Sequence, residues 1–228
     1  MTLEFSEAGH TYRFKGQRLN SVTRILDHGG LRGGDFFGDK GTEYLDRGTL
    51  IHDLTAKHDA GEKVDRRKIP KRWRGHFEAW PKFRRETGFT PSLIEHRVHS
   101  LESLFAGTID RVGDFNCDGG ELAKVLGMSK YMELTSLQTI LDIKNSKSSP
   151  PGDWVRYQLV GYGHALNPKR LYNRVAVALL TNGRYKVKVF SIESWHRDLE
   201  VFLRAAESLR KGQRFMDFAG AAPAKRRA

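Results

Sequence analysis

Cysteine is almost missing from this sequence: Cys117 stands alone among 228 residues. That excludes an intrachain disulfide framework, a four-cysteine zinc site and a cysteine-held iron–sulfur cluster built within one chain. Any metal is therefore expected on oxygen ligands, with imidazole as the nitrogen alternative. Long apolar runs are missing too, and without about 18 consecutive apolar residues no membrane-spanning helix is expected. The opening stretch, MTLEFSEAGHTYRF, has neither the basic nor the apolar segment of a signal peptide, so the expected location is the cytoplasm. No Gly-x-x-x-x-Gly-Lys-Ser/Thr loop occurs, so the chain carries no ATP-driven motor of its own. It has no internal repeat.

What is present is positive charge. Lys and Arg number 39 against 27 Asp and Glu, a net charge of +12, which points to polyanionic partners, nucleic acid or acidic lipid. At this length and 39% hydrophobic content, the chain can bury roughly 70% of its unfolded surface, as one domain or one domain with an added lobe. Ten basic residues fall between Lys63 and Arg85 against only Asp65 and Glu78, so this segment supplies eight of the net charges. Trp73, Phe77 and Trp80 recur there at helical spacing, so one side packs while the other presents cations such as Lys71, Arg72 and Arg74 to phosphates. Pro81 should kink or end that helix. The alternative is a solvated basic face over an ordinary aromatic stripe. A membrane-surface reading is weaker, because the segment lacks a broad apolar face.

Along the chain, Leu3 to Phe14 reads as a short hairpin, and Ser21 as the cap of a brief helix carrying Val22, Ile25 and Leu26. Six glycines between Gly29 and Gly41 predict a mobile loop, followed by an amphipathic helix through Tyr44, Leu50, Ile51 and Leu54 that ends at Gly61. Alternation then predicts neighbouring strands over 93–98, 104–115 and 138–144. Between the last two lies an insertion, 116–137, with a short helix at 121–126. Pro150-Pro151 precedes a helix from about Asp153 to Leu166. Strands at 173–180 and 185–192 flank an Asn182-Gly183 turn, and a helix from about Glu193 to Lys211 closes the fold. The expected organisation is a hairpin and basic helical lobe over 1–90, integral to the fold, a core over 91–211, and a flexible basic tail over 212–228.

Two carboxylates on neighbouring predicted strands carry the chemistry: Asp110 in Gly107-Thr-Ile-Asp, and Asp142 in Leu-Asp142-Ile-Lys144. Residues i and i+2 of a strand share a face, so Asp142 and Lys144 project together. A carboxylate pair with a lysine suits metal-assisted phosphodiester hydrolysis: hard oxygen ligands hold Mg²⁺ or Mn²⁺, and the lysine orients the attacking water or stabilises developing charge. The competing account is a cross-strand ion pair at a sheet edge. His96 and His99 would face opposite sides of their strand and make no zinc pair.

Five elements in order carry a resemblance: Gly48-Thr-Leu-Ile-His52, Glu95, Gly107-Thr-Ile-Asp110, Asp142-Ile-Lys144 and Gln158-Leu-Val-Gly-Tyr162. Together they resemble the PD-(D/E)XK nuclease superfamily, in its RecB-like branch, over roughly residues 43–192. The resemblance implies an α/β fold with a central mixed sheet flanked by helices. It implies Mg²⁺ or Mn²⁺ held by Asp110 and Asp142 with the Ile143 carbonyl, His52 as an added ligand, and Glu95 holding a second metal or its water shell. Lys144 would act on the attacking water, while Gln158 and Tyr162, on one helical face, would position the DNA backbone. The implied activity is a DNA exonuclease of phage-type recombination or replication, in the host cytoplasm if phage-encoded, with a single-strand-binding or annealing protein as a further partner. A structure-selective endonuclease on the same fold and a non-catalytic DNA-binding accessory protein are the alternatives.

Overall fold

The computed structural model describes residues 3–6, 11–32, 41–116, 122–124, 137–213 and 215. The expectations for residues 33–40, for Cys117, for most of the 116–137 insertion and for the tail beyond 215 lie outside them. The fold is α/β, with an eight-stranded mixed sheet flanked by helices.

At the amino end, β1 (Glu4–Ser6), β2 (Thr11–Phe14) and β3 (Gln17–Ser21) form an antiparallel meander rather than a single hairpin. The third strand follows because the Lys15-Gly16 turn, at φ 49° and 76°, folds the chain back at once. Ser21 caps α1 (Val22–His28), its side chain accepting the Arg24 N–H at 3.1 Å. The long helix α2 (Gly41–Asp59) and α3 (Arg74–Thr87) follow, separated by two short 3₁₀ turns at Arg66–Lys68 and Lys71–Trp73. Helix α3 does not end at Pro81 but continues to Thr87, with Gly88 as its cap. Proline removes one main-chain bond, but Phe77, Trp80 and Phe83 are buried on either side of it, and that packing holds the helix together.

β4 (Phe89–Ser100) and β5 (Phe105–Phe115) form a long antiparallel pair. β6 (Thr139–Ser146), α4 (Val155–Leu166), β7 (Asn173–Leu180), β8 (Tyr185–Phe190) and α5 (Trp195–Lys211) complete the order. β6 and β7 are parallel and β7 and β8 antiparallel. On one face, α1, α4 and α5 bury Ile25, Leu26, Leu159, Val160, Phe202 and Ala205 against Ile109 and Ile140. On the other, Ile51 of α2 and Phe77, Trp80 and Phe83 of α3 cover Leu141, Ile143, Val175 and Val177. Each such large side chain contributes about 1.5–3 kcal/mol on burial. Residues 122–124 are helical, and Leu122 is buried in the second of these cores.

The sheet is forked. One edge of β5 is paired to β4, while its other edge pairs in parallel with β3 at Phe105 and Ala106 and antiparallel with β6 at Arg111 to Gly113. Residues 107–110 lie in the crotch between those two ladders.

Candidate active site at the sheet fork

Beyond Leu141, β6 diverges from β5, so its next inward main-chain donor needs another acceptor. Asp110 supplies it: the Ile143 N–H donates to Asp110 Oδ2 at 2.6 Å. A carboxylate is thereby fixed in the fork by the very strand that carries Asp142. Alternation along β6 turns Ile140, Asp142 and Lys144 toward α4, and Leu141 and Ile143 toward α2.

His52 reaches the fork from α2. Its Nδ1 lies 3.4 Å from Glu95 Oε1 and 3.6 Å from Asp110 Oδ1, and its Nε2 lies 3.1 Å from the Ile143 carbonyl oxygen. His52, Glu95 and Asp110 each offer a ligand atom within 4.8 Å of the others, and this group could hold a metal ion. Burial opposes charge on His52, but Asp110 and Glu95 outweigh it and push its pKa up to about 9. Burial pushes Asp110 up to about 6, the charges of Asp142 and Glu95 adding to the effect while His52 opposes it. Glu95 is held below the usual carboxylate range by His52 and Arg111 despite its burial. Without a cation the fork therefore retains protons among crowded acids.

Glu95 sits at φ 45°, a left-handed conformation that costs a residue with a side chain about 1–2 kcal/mol. Its carboxylate is held by Arg111, whose Nη1 donates to Oε1 at 2.9 Å. Fully buried, Arg111 also donates to Thr55 Oγ1 at 3.0 Å, to Asp59 Oδ2 and to the Asp110 carbonyl. Asp59 in turn accepts from Arg84 at 2.7 Å and Trp80 Nε1 at 2.9 Å. His52, Thr55 and Asp59 lie on one face of α2, so the helix that brings the imidazole also anchors the arginine that fixes Glu95.

Asp142 is outside the three-residue group. Its Oδ1 accepts from Lys144 Nζ at 2.7 Å, whereas its buried Oδ2 has no hydrogen-bond partner among the described residues. Lys144 also donates to Gln158 Oε1 at 3.2 Å, and Gln158 Nε2 donates to Tyr162 Oη at 3.0 Å. Gln158 and Tyr162, one turn apart on α4, are only 7% and 6% exposed, so they form a buried relay behind the lysine. Burial drives the Tyr162 pKa well up, with Asp110 and Asp142 adding to it, so the phenol stays protonated. Gly107 makes room for that ring: a Cβ there would lie 2.4 Å from Tyr162 Cε1.

The Ile143 carbonyl, expected to help hold a metal, lies against His52 Nε2 at the fork. Of the expected DNA-contacting cations, Lys71 and Arg72 are exposed, Arg72 pairing with Glu43 at 3.2 Å. Arg74 is partly exposed, with Nε donating to the Ile69 carbonyl at 3.0 Å and Nη2 to that of Arg67 at 3.4 Å. Thr55, Asp59 and Arg111 were not among the expected site residues. The helical spacing of Thr55 and Asp59 from His52 is the one signal that could have revealed them.

No family model matches the chain, and no curated protein matches it. Fold and site define an α/β protein whose His52–Glu95–Asp110 group could hold a cation at a sheet fork. Among the described residues no helix is long and apolar enough to cross a membrane.

Proposed function

We propose that the protein is a metal-dependent DNA nuclease with a PD-(D/E)XK-like core, acting as an exonuclease on DNA ends. The observation that carries this reading is the buried, unpartnered Oδ2 of Asp142, next to Lys144 and close enough to Asp110 to raise its pKa. Lys144 balances the charge through Oδ1, but a buried carboxylate oxygen without a donor still lacks the partner that would offset its desolvation. The donor set around it, carboxylates and one imidazole, fits a hard divalent cation.

Asp110 and Asp142, with His52 and Glu95, would hold Mg²⁺ or Mn²⁺, which would polarise the scissile phosphate and make water more acidic. The chain's own groups supply the rest. Lys144, held between Asp142 and Gln158, orients the attacking water and balances charge as it builds on the phosphate. The water oxygen forms the new P–O bond, the ester P–O bond breaks, and the leaving oxygen takes up a proton. Gln158 and Tyr162 keep the lysine ammonium in line. Arg111 keeps Glu95 in its strained position before substrate arrives.

Arg66, Arg67, Lys68, Lys71 and Arg72 are exposed on the turns before α3. The Arg72–Glu43 contact sets them beside the start of α2, about 13 Å along that helix from His52. This basic surface supports a path for the DNA backbone and predicts affinity that falls steeply with salt. End-labelled linear DNA and covalently closed circles, each single- and double-stranded, test the reading. Loss of linear DNA alone, dependent on Mg²⁺ or Mn²⁺, supports an exonuclease. Cutting of circles would make the protein an endonuclease, and tight binding without cleavage would make it an accessory protein.

A further inference from the structure

Beside the fork opens a cleft of about 180 Å³ lined by Arg32, Gly48, His52, Lys144, Asn145 and Trp154. It shares His52 with the metal-binding group and Lys144 with the proposed hydrolysis, but three of its walls have no part in either. From them we propose that the cleft is a subsite for one unpaired nucleobase of the strand being cut. The proposal rests on the nuclease reading for its substrate and on separate residues for its geometry.

Trp154 supplies the platform. Trp73, Trp80 and Trp195 are buried, whereas Trp154 is half-buried and borders the cleft. Its ring attracts cations, with the Arg32 guanidinium carbon 5.0 Å and Lys144 Nζ 5.2 Å from the ring centre. An indole beside a lysine that serves the scissile phosphate suits a base attached to that phosphate, because stacking on an aromatic ring accepts any base.

Asn145 supplies a polar contact. It follows Lys144 on β6, is 8% exposed, and its buried Oδ1 has no hydrogen-bond partner among the described residues. A buried acceptor left empty is unfavourable unless a ligand provides a donor. Every nucleobase carries an N–H donor on its pairing edge, available only when the base is unpaired.

Gly48 supplies the space. It lies inside α2, where glycine is unfavourable relative to alanine. No packing among the described residues explains it: a Cβ at this position would meet none of their atoms within 4 Å beyond its own helix backbone. Any larger side chain would instead project into the cleft that Gly48 lines. The volume is below the roughly 300 Å³ at which drug-sized ligands begin to fit, so it admits one flat ring system rather than a stacked pair. The substrate class is therefore a single strand, or a duplex end with its terminal base unpaired.

The test measures binding in EDTA, where no cleavage interferes, using an oligothymidylate and an abasic strand of equal length and charge. The native protein should bind the oligothymidylate about tenfold more tightly, within the range of one base stack, and only that strand should quench its tryptophan fluorescence. Trp154→Ala and Gly48→Leu should each reduce the preference to less than about twofold. Gly48→Ala should raise Tm by about 2–3 °C while weakening the preference, which separates occlusion of the cleft from misfolding. Equal binding of the two strands by the native protein would overturn the proposal, as would a preference that survives in folded Trp154→Ala or Gly48→Leu protein. If metal-dependent cleavage is never found but the preference is, the nuclease reading fails and the base subsite stands.

Discussion

Asp110 and Ile143 are joined across the sheet fork by a 2.6 Å hydrogen bond from the Ile143 main-chain N–H to the Asp110 carboxylate. The bond satisfies a donor that the diverging strands would strand in the interior, and it aims the other carboxylate oxygen at His52. Asp110→Ala should therefore lose about 1–3 kcal/mol of stability through the orphaned N–H. Asp110→Asn keeps an acceptor and should stay within about 1 kcal/mol of the native protein near pH 4, where Asp110 is protonated in the fold, while losing divalent-cation binding as completely as the alanine variant. Urea unfolding and metal titration of both variants measure the two effects.

The pH dependence follows from two raised pKa values. His52 is moved from 6.5 to about 9 and Asp110 from 3.8 to about 6, so both favour the protonated folded state. Their contribution to metal-free stability is full below the ordinary values and is lost as pH rises through the raised ones, across about pH 4–6 for Asp110 and 6.5–9 for His52. In EDTA, Asp110→Asn should match the native Tm near pH 4 and exceed it above pH 6. A bound cation takes the place of those protons, so the Tm gain on adding Mg²⁺ or Mn²⁺ should grow from pH 6 to pH 9.

Arg111 and Asp59 form a buried pair within a network that Arg84 extends from Asp59 and Glu95 from Arg111. Arg111→Met should destabilise by about 3–5 kcal/mol, and adding Asp59→Asn should cost less than the sum of the single changes. A double-mutant cycle from urea unfolding reads the coupling directly.

Gly107→Ala would set a Cβ against the Tyr162 ring. Accommodating it should cost about 1–3 kcal/mol and displace the Gln158–Tyr162 relay behind Lys144. The expected kinetic signature is a lower kcat with little change in KM.

Much of this arrangement could be read from the sequence. Alternation located β4 through β8, the Ser21 cap held, and the spacing of Gln158 and Tyr162 put them on one face of α4. The fork could not be read, because it arises from β3 and β6 sharing one edge of β5, and no local pattern encodes such a long-range register. Its consequences were hidden with it. Strict alternation would not bring Arg111 to Glu95, its neighbours giving no hint of the positive φ at Glu95. For the opposite reason Pro81 does not end its helix: a strong local signal gave way to the burial of the aromatic residues around it. Arg74 belonged to a basic run, yet its guanidinium, only partly exposed, also bonds the carbonyls of Arg67 and Ile69.

Hydrolysis by the Lys144→Met variant tests the central claim most directly. Native protein should release nucleotides from end-labelled linear DNA with Mg²⁺ or Mn²⁺ and none in EDTA. Lys144→Met should keep the cation-induced rise in Tm while its rate falls by about 10²-fold or more. Undiminished hydrolysis by Lys144→Met, or no hydrolysis by native protein that demonstrably binds the cation, would contradict a metal-dependent nuclease built on this fork.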